Sequence, residues 1–527
     1  MSILPDYQRV YLLSKRLEVK EYKPRVLNSW MLASYGAPAM PLAMVGLPMA
    51  VYLPAVYADS EGFGLGLAFV GLVLVLARVF DGVTDPIVGF LSDRSRTRWG
   101  RRKPFVLLGM PIYIFGICML FIPPITFREV SLLGLTFSTG YPWMLMMLVV
   151  TYVGSTIKDV PYSAWGAELS PDYHERTLVT SWREGFAVAG SLIGAFTPAI
   201  IFFFGYSKPT DAVYFLSLTI AIIMPVMVIN AMFSVPEFKV TETKREELPL
   251  KDSLKYVWKN EPYRRLVIAF LFSTIGAAMT NTLSFFFVKH VLLAGDLFGF
   301  YLAPYFISQL IAIPLWFKLS RRIGKHRATM VAIGWYALWA SLIPLIAIAP
   351  LVWFDAFQVS NLLTFLPEEA YLSSVAYFEG IPTGKFLFFI IIMCLKGSSI
   401  GALSALPYAM AADVVDVDSS MTGKRQGGAY FSIWSMTRKL AYALGLFIGT
   451  GLVVFWGFDS LADPRDTTNT PFSLLMLAVT YSIIPAIFKF VAMPLFWNYP
   501  LTEEKVADIQ AKMMAQKEDY EKASEQS

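Results

Sequence analysis

Charge is scarce in this chain. Of 527 residues only 16% are Asp, Glu, Lys or Arg, where a soluble domain carries about a quarter. Cysteine is scarcer: Cys118 and Cys394 are the whole supply and both lie in apolar runs, so neither a disulfide framework nor a thiolate metal site is available. The histidines are His174, His290 and His326, too few to build a zinc or haem centre. Gly-rich phosphate cradles, a nucleophile elbow and metal-ligand spacings are also missing. No catalytic constellation and no resident cofactor are therefore expected, so the chain reads as not an enzyme.

What is present is apolar surface. Hydrophobic residues make up 56% of the chain, more than a soluble core of this length buries. A soluble enzyme, a nucleic-acid binder and a secreted disulfide scaffold are excluded. Residues 1–28 are polar and mixed in charge, without the apolar core of a signal peptide. Beyond them long apolar runs recur from Trp30 to Asn498, and each crossing of a bilayer needs about 20 such residues. Twelve spans are expected, over 30–57, 62–91, 104–124, 141–168, 178–205, 211–235, 264–292, 297–319, 328–352, 385–413, 426–456 and 470–498. The runs are continuous and about twice the length of a barrel strand, so the expected class is an all-α polytopic membrane protein.

Orientation follows from lysine and arginine. The loop after span 2 carries Arg94, Arg96, Arg98, Arg101, Arg102 and Lys103, and the loop after span 8 carries Arg321, Arg322, Lys325 and Arg327. Loops on the opposite side hold Arg128, Lys208 and Arg465. Both termini are thus expected in the cytoplasm. The organisation reads as a segment 1–29, a six-helix bundle 30–235, a charged linker 236–263, a second bundle 264–498 and a tail 499–527. LSDRSRTRWGRRKPFVLLG after span 2 echoes LSRRIGKHRATMVAIG after span 8, with Gly100 and Gly324 in matching positions. Such a parallel repeat suggests two related bundles around a shared path, as in secondary transporters.

Ionisable residues inside these runs are the informative ones, because a charge at the bilayer centre costs about 2.5–3.5 kcal/mol even on a lenient scale. Asp81 and Asp85 in span 2 are four apart and share a helix face, with Arg78 one turn earlier. Two close carboxylates need a cation between them, and oxygen ligands suit a hard ion such as Na⁺. An internal Arg78–Asp81 salt bridge is the alternative. In span 4, Lys158 and Asp159 lie deep, Thr156 is one turn before Asp159 and offers a hydroxyl, and Tyr162 and Trp165 offer rings for stacking or for packing. Arg183 and Glu184 in span 5 can grip hydroxyl groups or pair with each other. Lys396 and Lys439 are the deep lysines of the second half, able to replace a missing cation, bind an anion or snorkel. Asp413, Asp416 and Asp418 precede Lys424 and Arg425, where a cytoplasmic gate of ion pairs is expected.

The stretch RVFDGVTDPIVGFLSDRSRTRWGRRKPF resembles the span 2 signature of the glycoside–pentoside–hexuronide cation symporters, the melibiose-permease family of the major facilitator superfamily. KDVPYSAWGAELSPDYHERTLVTSWREGF and ADVVDVDSSMTGKRQGGAYFSIWSMTRKL resemble its other two landmark regions. The resemblance implies the major facilitator fold, and it implies roles. Asp81, Asp85 and Thr156 would hold the coupling cation, Na⁺ or H⁺. Asp159 and Arg183 would bind substrate, with Lys158, Tyr162, Trp165 and Lys396 as further candidates, and Lys439 and Arg78 would serve coupling. Sugar-binding members carry an aspartate in span 1, where this chain reads SYGAPAMPLAMVGLPM without any acid. With the extra Lys158 and Lys396, an acidic sugar or another amphipathic anion becomes more attractive than a neutral galactoside. The expected function is a cation-coupled symporter importing a glycoside, a hexuronide or a related acidic solute. A sodium-dependent lysolipid carrier on the same fold is the alternative. The expected partners are a small-molecule substrate, a monovalent cation and the lipid bilayer of the cell membrane, with no nucleic acid. Family likeness implies a monomer.

Overall fold

The computed structural model describes residues 28–95, 97, 99–132, 135–169, 173–202, 204–206, 208–237, 258–349, 382–422, 427–497 and 499–501. Most of the expected N-terminal segment, linker and tail, and the long loop after span 9, lie outside these residues.

The first span is a broken helix: α1 (Ser29–Gly36), α2 (Ala39–Leu47), a π-helical turn (Pro48–Tyr52) and α3 (Leu53–Ala58). Pro38, Pro48 and Pro54 lie at its breaks, each removing a backbone donor. The Asn28 side chain accepts the Met31 amide at 2.8 Å, which supplies the N-cap. The first half continues with α4 (Leu67–Arg94), α5 (Lys103–Phe121), α6 (Gly140–Glu168), α7 (Tyr173–Phe202) and α8 (Pro209–Ser234). The second half holds α9 (Glu261–His290), α10 (Phe298–Ile323), α11 (Lys325–Ser341), α12 (Ile343–Ile348), α13 (Thr383–Gly397), α14 (Ile400–Thr422), α15 (Gly427–Phe455) and α16 (Pro471–Trp497). A two-stranded antiparallel hairpin, β1 (Glu129–Leu132) with β2 (Leu135–Ser138), joins α5 to α6. It is a loop feature of an otherwise helical fold: Val130 and Phe137 are paired across it, and the ladder satisfies the loop's own amides.

Ten of these helices or helix runs are long and apolar enough to cross a membrane. The two other expected spans coincide with α4 and α7, of 28 and 30 residues. Arg78, Asp81 and Asp85 follow the apolar stretch of the first, and Arg183 and Glu184 precede that of the second. Helices approach closely through small residues: a side chain at Gly154 would overlap the Tyr113 backbone, which fixes α6 against α5. The sequence echo has a backbone counterpart, since Gly100 (φ 107°) and Gly324 (φ 86°) both turn the chain through the left-handed region.

Connections alternate between two ends of the molecule. Asn28, Gly100, Pro236 and Asn260 lie at a terminal face, and the hairpin, Asp59, His290 and Ser460 at the opposite, hairpin face. The largest apolar core runs through both halves toward the hairpin face, joining Tyr52, Val56 and Leu65 to Leu292, Phe298 and Tyr301. Toward the terminal face the second half has a separate core around Tyr263, Tyr336 and Trp434. Between the halves α4 packs on α15, and α7 on α10. The two bundles are therefore sealed at the hairpin face. Glu184 and Tyr408 lie exposed, and Asp159 partly exposed, deep in their helices toward the terminal face.

Candidate functional site

The spacing of Asp81 and Asp85 on α4 brings both carboxylates to the seam with α15, where Lys439 meets them. Lys439 Nζ lies 3.0 Å from Asp81 Oδ1 and 2.6 Å from Asp85 Oδ2. Arg78 Nη1 reaches Asp81 Oδ2 at 3.5 Å, and its guanidinium sits over the Tyr152 ring, 4.7 Å from the centroid. Thr156 Oγ1, from α6, donates to Asp85 Oδ1 at 2.9 Å and lies 3.3 Å from Thr84 Oγ1. Thr84 in turn donates to the Asp81 carbonyl at 2.9 Å. Two carboxylates thus face two cationic side chains, and Asp81 is only 4% exposed. Buried charges persist where they are paired in this way.

Every donor atom here apart from the two cations is an oxygen: two carboxylates and two hydroxyls. That set fits a hard monovalent cation, and a lysine that meets both carboxylates occupies the same electrostatic role. Asp81, Asp85, Thr156, Lys439 and Arg78 are brought together in one cluster. Thr84 was missed; its signal was its place between the two acids of FDGVTDP.

Asp159 forms a second cluster, from α6. Lys158 Nζ lies 2.6 Å from Asp159 Oδ1, and Ser155 Oγ donates to Asp159 Oδ2 at 2.6 Å. Lys158 is buried with its ammonium 4.5 Å from the centre of the Tyr113 ring, whereas the Asp159 side chain remains 40% exposed. Lys158 therefore stands behind Asp159. Arg183 on α7 donates through Nη2 to Glu184 Oε1 at 2.8 Å and through Nη1 to Ser163 Oγ at 3.2 Å. Both readings of Arg183 and Glu184 survive, because the pair is formed and also exposed.

Three expected substrate contacts are placed elsewhere. The Tyr162 hydroxyl donates to the Tyr35 carbonyl, and the two rings stack at 4.9 Å. Trp165 Nε1 donates to the Pro236 carbonyl at 3.0 Å. Both rings are buried inside the first bundle, their polar atoms turned inward, so they pack rather than present a stacking surface. Lys396 is 0% exposed, enclosed in the second bundle between the rings of Tyr336 and Tyr481, whose centroids lie 5.4 and 5.0 Å away. It does not join Asp159 and Arg183. Tyr336 belongs to α11 and Tyr481 to α16, so Lys396 faces the interior of its own bundle. Asp413 pairs with Lys325 at 2.6 Å inside the second bundle, so it is not a contact between bundles; the side chains of Asp416, Asp418, Lys424 and Arg425 lie outside the described residues.

Residues 34–503 match a family model described as MFS/sugar transport protein. The inner membrane symporter YicJ of Escherichia coli (strain K12) is 24% identical over 83% of this chain and 84% of its own. The sodium-dependent lysophosphatidylcholine symporter 1-A of Danio rerio is 24% identical over 93% of this chain and 89% of its own. The glucuronide carrier protein homolog of Escherichia coli (strain K12) is 23% identical over 87% and 90%. Among solved structures, the nucleoside transporter NupG superposes with a TM-score of 0.57 at 13% identity, covering 89% of this chain and 100% of that one. A D-xylose-proton symporter superposes with a TM-score of 0.54 at 13% identity, covering 90% and 96%. These likenesses in structure speak for the fold.

Proposed function

Because the chain belongs to the MFS/sugar transport protein family, we propose that it is a cation-coupled secondary symporter of the cell membrane. In this reading it is not an enzyme and works as a monomer with both termini cytoplasmic. One observation carries the reading: the Lys439 ammonium from the second bundle meets both Asp81 and Asp85 of the first. A monovalent cation, Na⁺ by the oxygen-donor set, would take the place of that ammonium, with Thr156 and Thr84 contributing hydroxyls. Cation binding then releases one bundle from the other and couples ion to movement, as differential affinity for two states requires. The excess of Lys and Arg at the terminal face, at Arg101, Arg102, Lys103, Arg321 and Arg322, supports its cytoplasmic placement.

For the substrate we propose an organic solute with an acidic group, a hexuronide being the simplest case. Asp159 has one carboxylate oxygen held by Lys158 and the other by Ser155, so it offers less free negative charge to a neutral polyol. Arg183, partly exposed and held by Glu184 and by Ser163 one turn beyond Asp159, would supply the forked donor an acid group takes when Glu184 yields it. The name of the Danio rerio relative supports a second reading, a lysolipid with a zwitterionic phosphocholine headgroup, neutral overall.

Coupling energetics separate these classes. A tenfold Na⁺ gradient supplies about 1.4 kcal/mol and 100 mV about 2.3 kcal/mol per charge. One Na⁺ therefore concentrates a neutral solute about 500-fold and a monoanion about tenfold. The test is uptake of a labelled glucuronide and of lysophosphatidylcholine into proteoliposomes, with the Na⁺ gradient and the voltage set independently. Na⁺-driven, voltage-insensitive accumulation of the glucuronide is expected. Competition by lysophosphatidylcholine but not by glucuronides would favour the second reading, and accumulation driven by a pH gradient alone would replace Na⁺ with H⁺.

A further inference from the structure

A third charged cluster lies at the hairpin face, away from both sites described above. The loop after α3 reads DSEGFGLG, from Asp59 to Gly66. Gly64 (φ 64°) and Gly66 (φ 79°) adopt the left-handed backbone that L side chains avoid. The chain consequently folds back on α3: the Phe63 amide donates to the Val56 carbonyl at 2.8 Å and the Leu65 amide to the Tyr57 carbonyl at 2.9 Å. The Glu61 amide donates to Asp59 Oδ1 at 2.8 Å. This fold-back holds two carboxylates side by side, facing the last turn of α9.

Lys289 of α9 meets both. Its Nζ lies 2.7 Å from Asp59 Oδ1 and 2.8 Å from Glu61 Oε1. Asp59 and Lys289 are buried, while Glu61 is half exposed. Beside them Ser460, also of the second half, donates to the Ala58 carbonyl and accepts the Leu67 amide, each at 3.2 Å. A side chain at Gly71 would overlap Thr450, so α4 and α15 touch closely just below. The second bundle thus grips one loop of the first by an ammonium, a hydroxyl and a close helix contact.

We infer that Lys289, with Asp59 and Glu61, is the gate that keeps the hairpin face shut and must release both carboxylates before the carrier opens there. The partners belong to different bundles, so any separation of the bundles at this face breaks the pair and rehydrates all three groups. Rehydration offsets much of the lost attraction, since burying an ion pair is itself costly. The gate is therefore specific in register yet able to open. Sharing one lysine between two acids also keeps Lys289 paired when either carboxylate alone lets go, so opening proceeds through a half-released state. The inference rests on the alternating-access reading, but its test needs neither coupling ion nor substrate.

The test uses the purified protein with Cys118 and Cys394 replaced by Ser and one new cysteine from Tyr52→Cys. Tyr52 is buried in the seam at the hairpin face, its ring edge-on to Phe298. Maleimide labelling there should be about tenfold faster in Lys289→Met and in Asp59→Asn, and close to the parent rate in Lys289→Arg. The swap Asp59→Lys with Lys289→Asp should return the rate toward the parent. A second reporter, Ala411→Cys, sits buried in the second bundle's own core and should label slowly in every variant. Unchanged labelling at position 52 in both Lys289→Met and Asp59→Asn overturns the gate. So does an equal rise at positions 52 and 411, which would mean general loosening.

Discussion

The first bundle holds a pair of carboxylates at its seam and the second buries a pair of lysines, and the two pairs are treated in opposite ways. Asp81 and Asp85 face the seam, and their counter-charge arrives from the other bundle as Lys439. Lys396 and Lys489 are enclosed within their own bundle, both beside the ring of Tyr336. Lys489 donates to the Ser273 carbonyl and hydroxyl at 3.2 Å, and Lys396 Nζ has no hydrogen-bond acceptor among the described residues. A charge whose partner lies across a moving seam can be exchanged during a transport cycle, whereas one locked inside a bundle moves with its surroundings. Depth in the membrane alone does not mark a coupling residue. The location of its partner does.

The largest effect should come from breaking the seam pair. Asp85→Asn removes one charge from the ion's donor set while leaving the helix intact, and should reduce cation-dependent uptake about 100-fold, the order set by losing roughly 2–3 kcal/mol of charge-assisted contact. Thr156→Val keeps both charges and removes one hydroxyl; the apparent cation affinity, read from the concentration for half-maximal uptake, should fall about tenfold. Lys396→Met probes the enclosed pair. Replacing a buried amine without an acceptor by an isosteric apolar chain should leave the cation response unchanged and raise stability by about 1–2 kcal/mol, seen as a higher melting temperature. Loss of the cation response in Lys396→Met would end the distinction between seam and interior.

Much of this was legible in the residues, for identifiable reasons. The spans were visible because each apolar run has the length a bilayer demands, and the carboxylate pair because four-residue spacing fixes one helix face. The roles of Tyr162, Trp165 and Lys396 were not legible. Periodicity places a side chain on a face but does not say whether that face meets the seam or the interior of its own bundle. The Asp59–Glu61–Lys289 cluster was also hidden, because its partners are 230 and 228 residues apart in sequence and only the packing of α9 against α3 brings them together.

Coupling turns on exchange between Lys439 and a cation at Asp81 and Asp85. Equilibrium binding of radiosodium to the purified wild type and to Asp85→Asn, at constant ionic strength with choline as the balancing ion, measures it without any substrate. Saturable binding to the wild type and none to Asp85→Asn is the result the geometry requires. Equal binding to both proteins would place the ion elsewhere and contradict it.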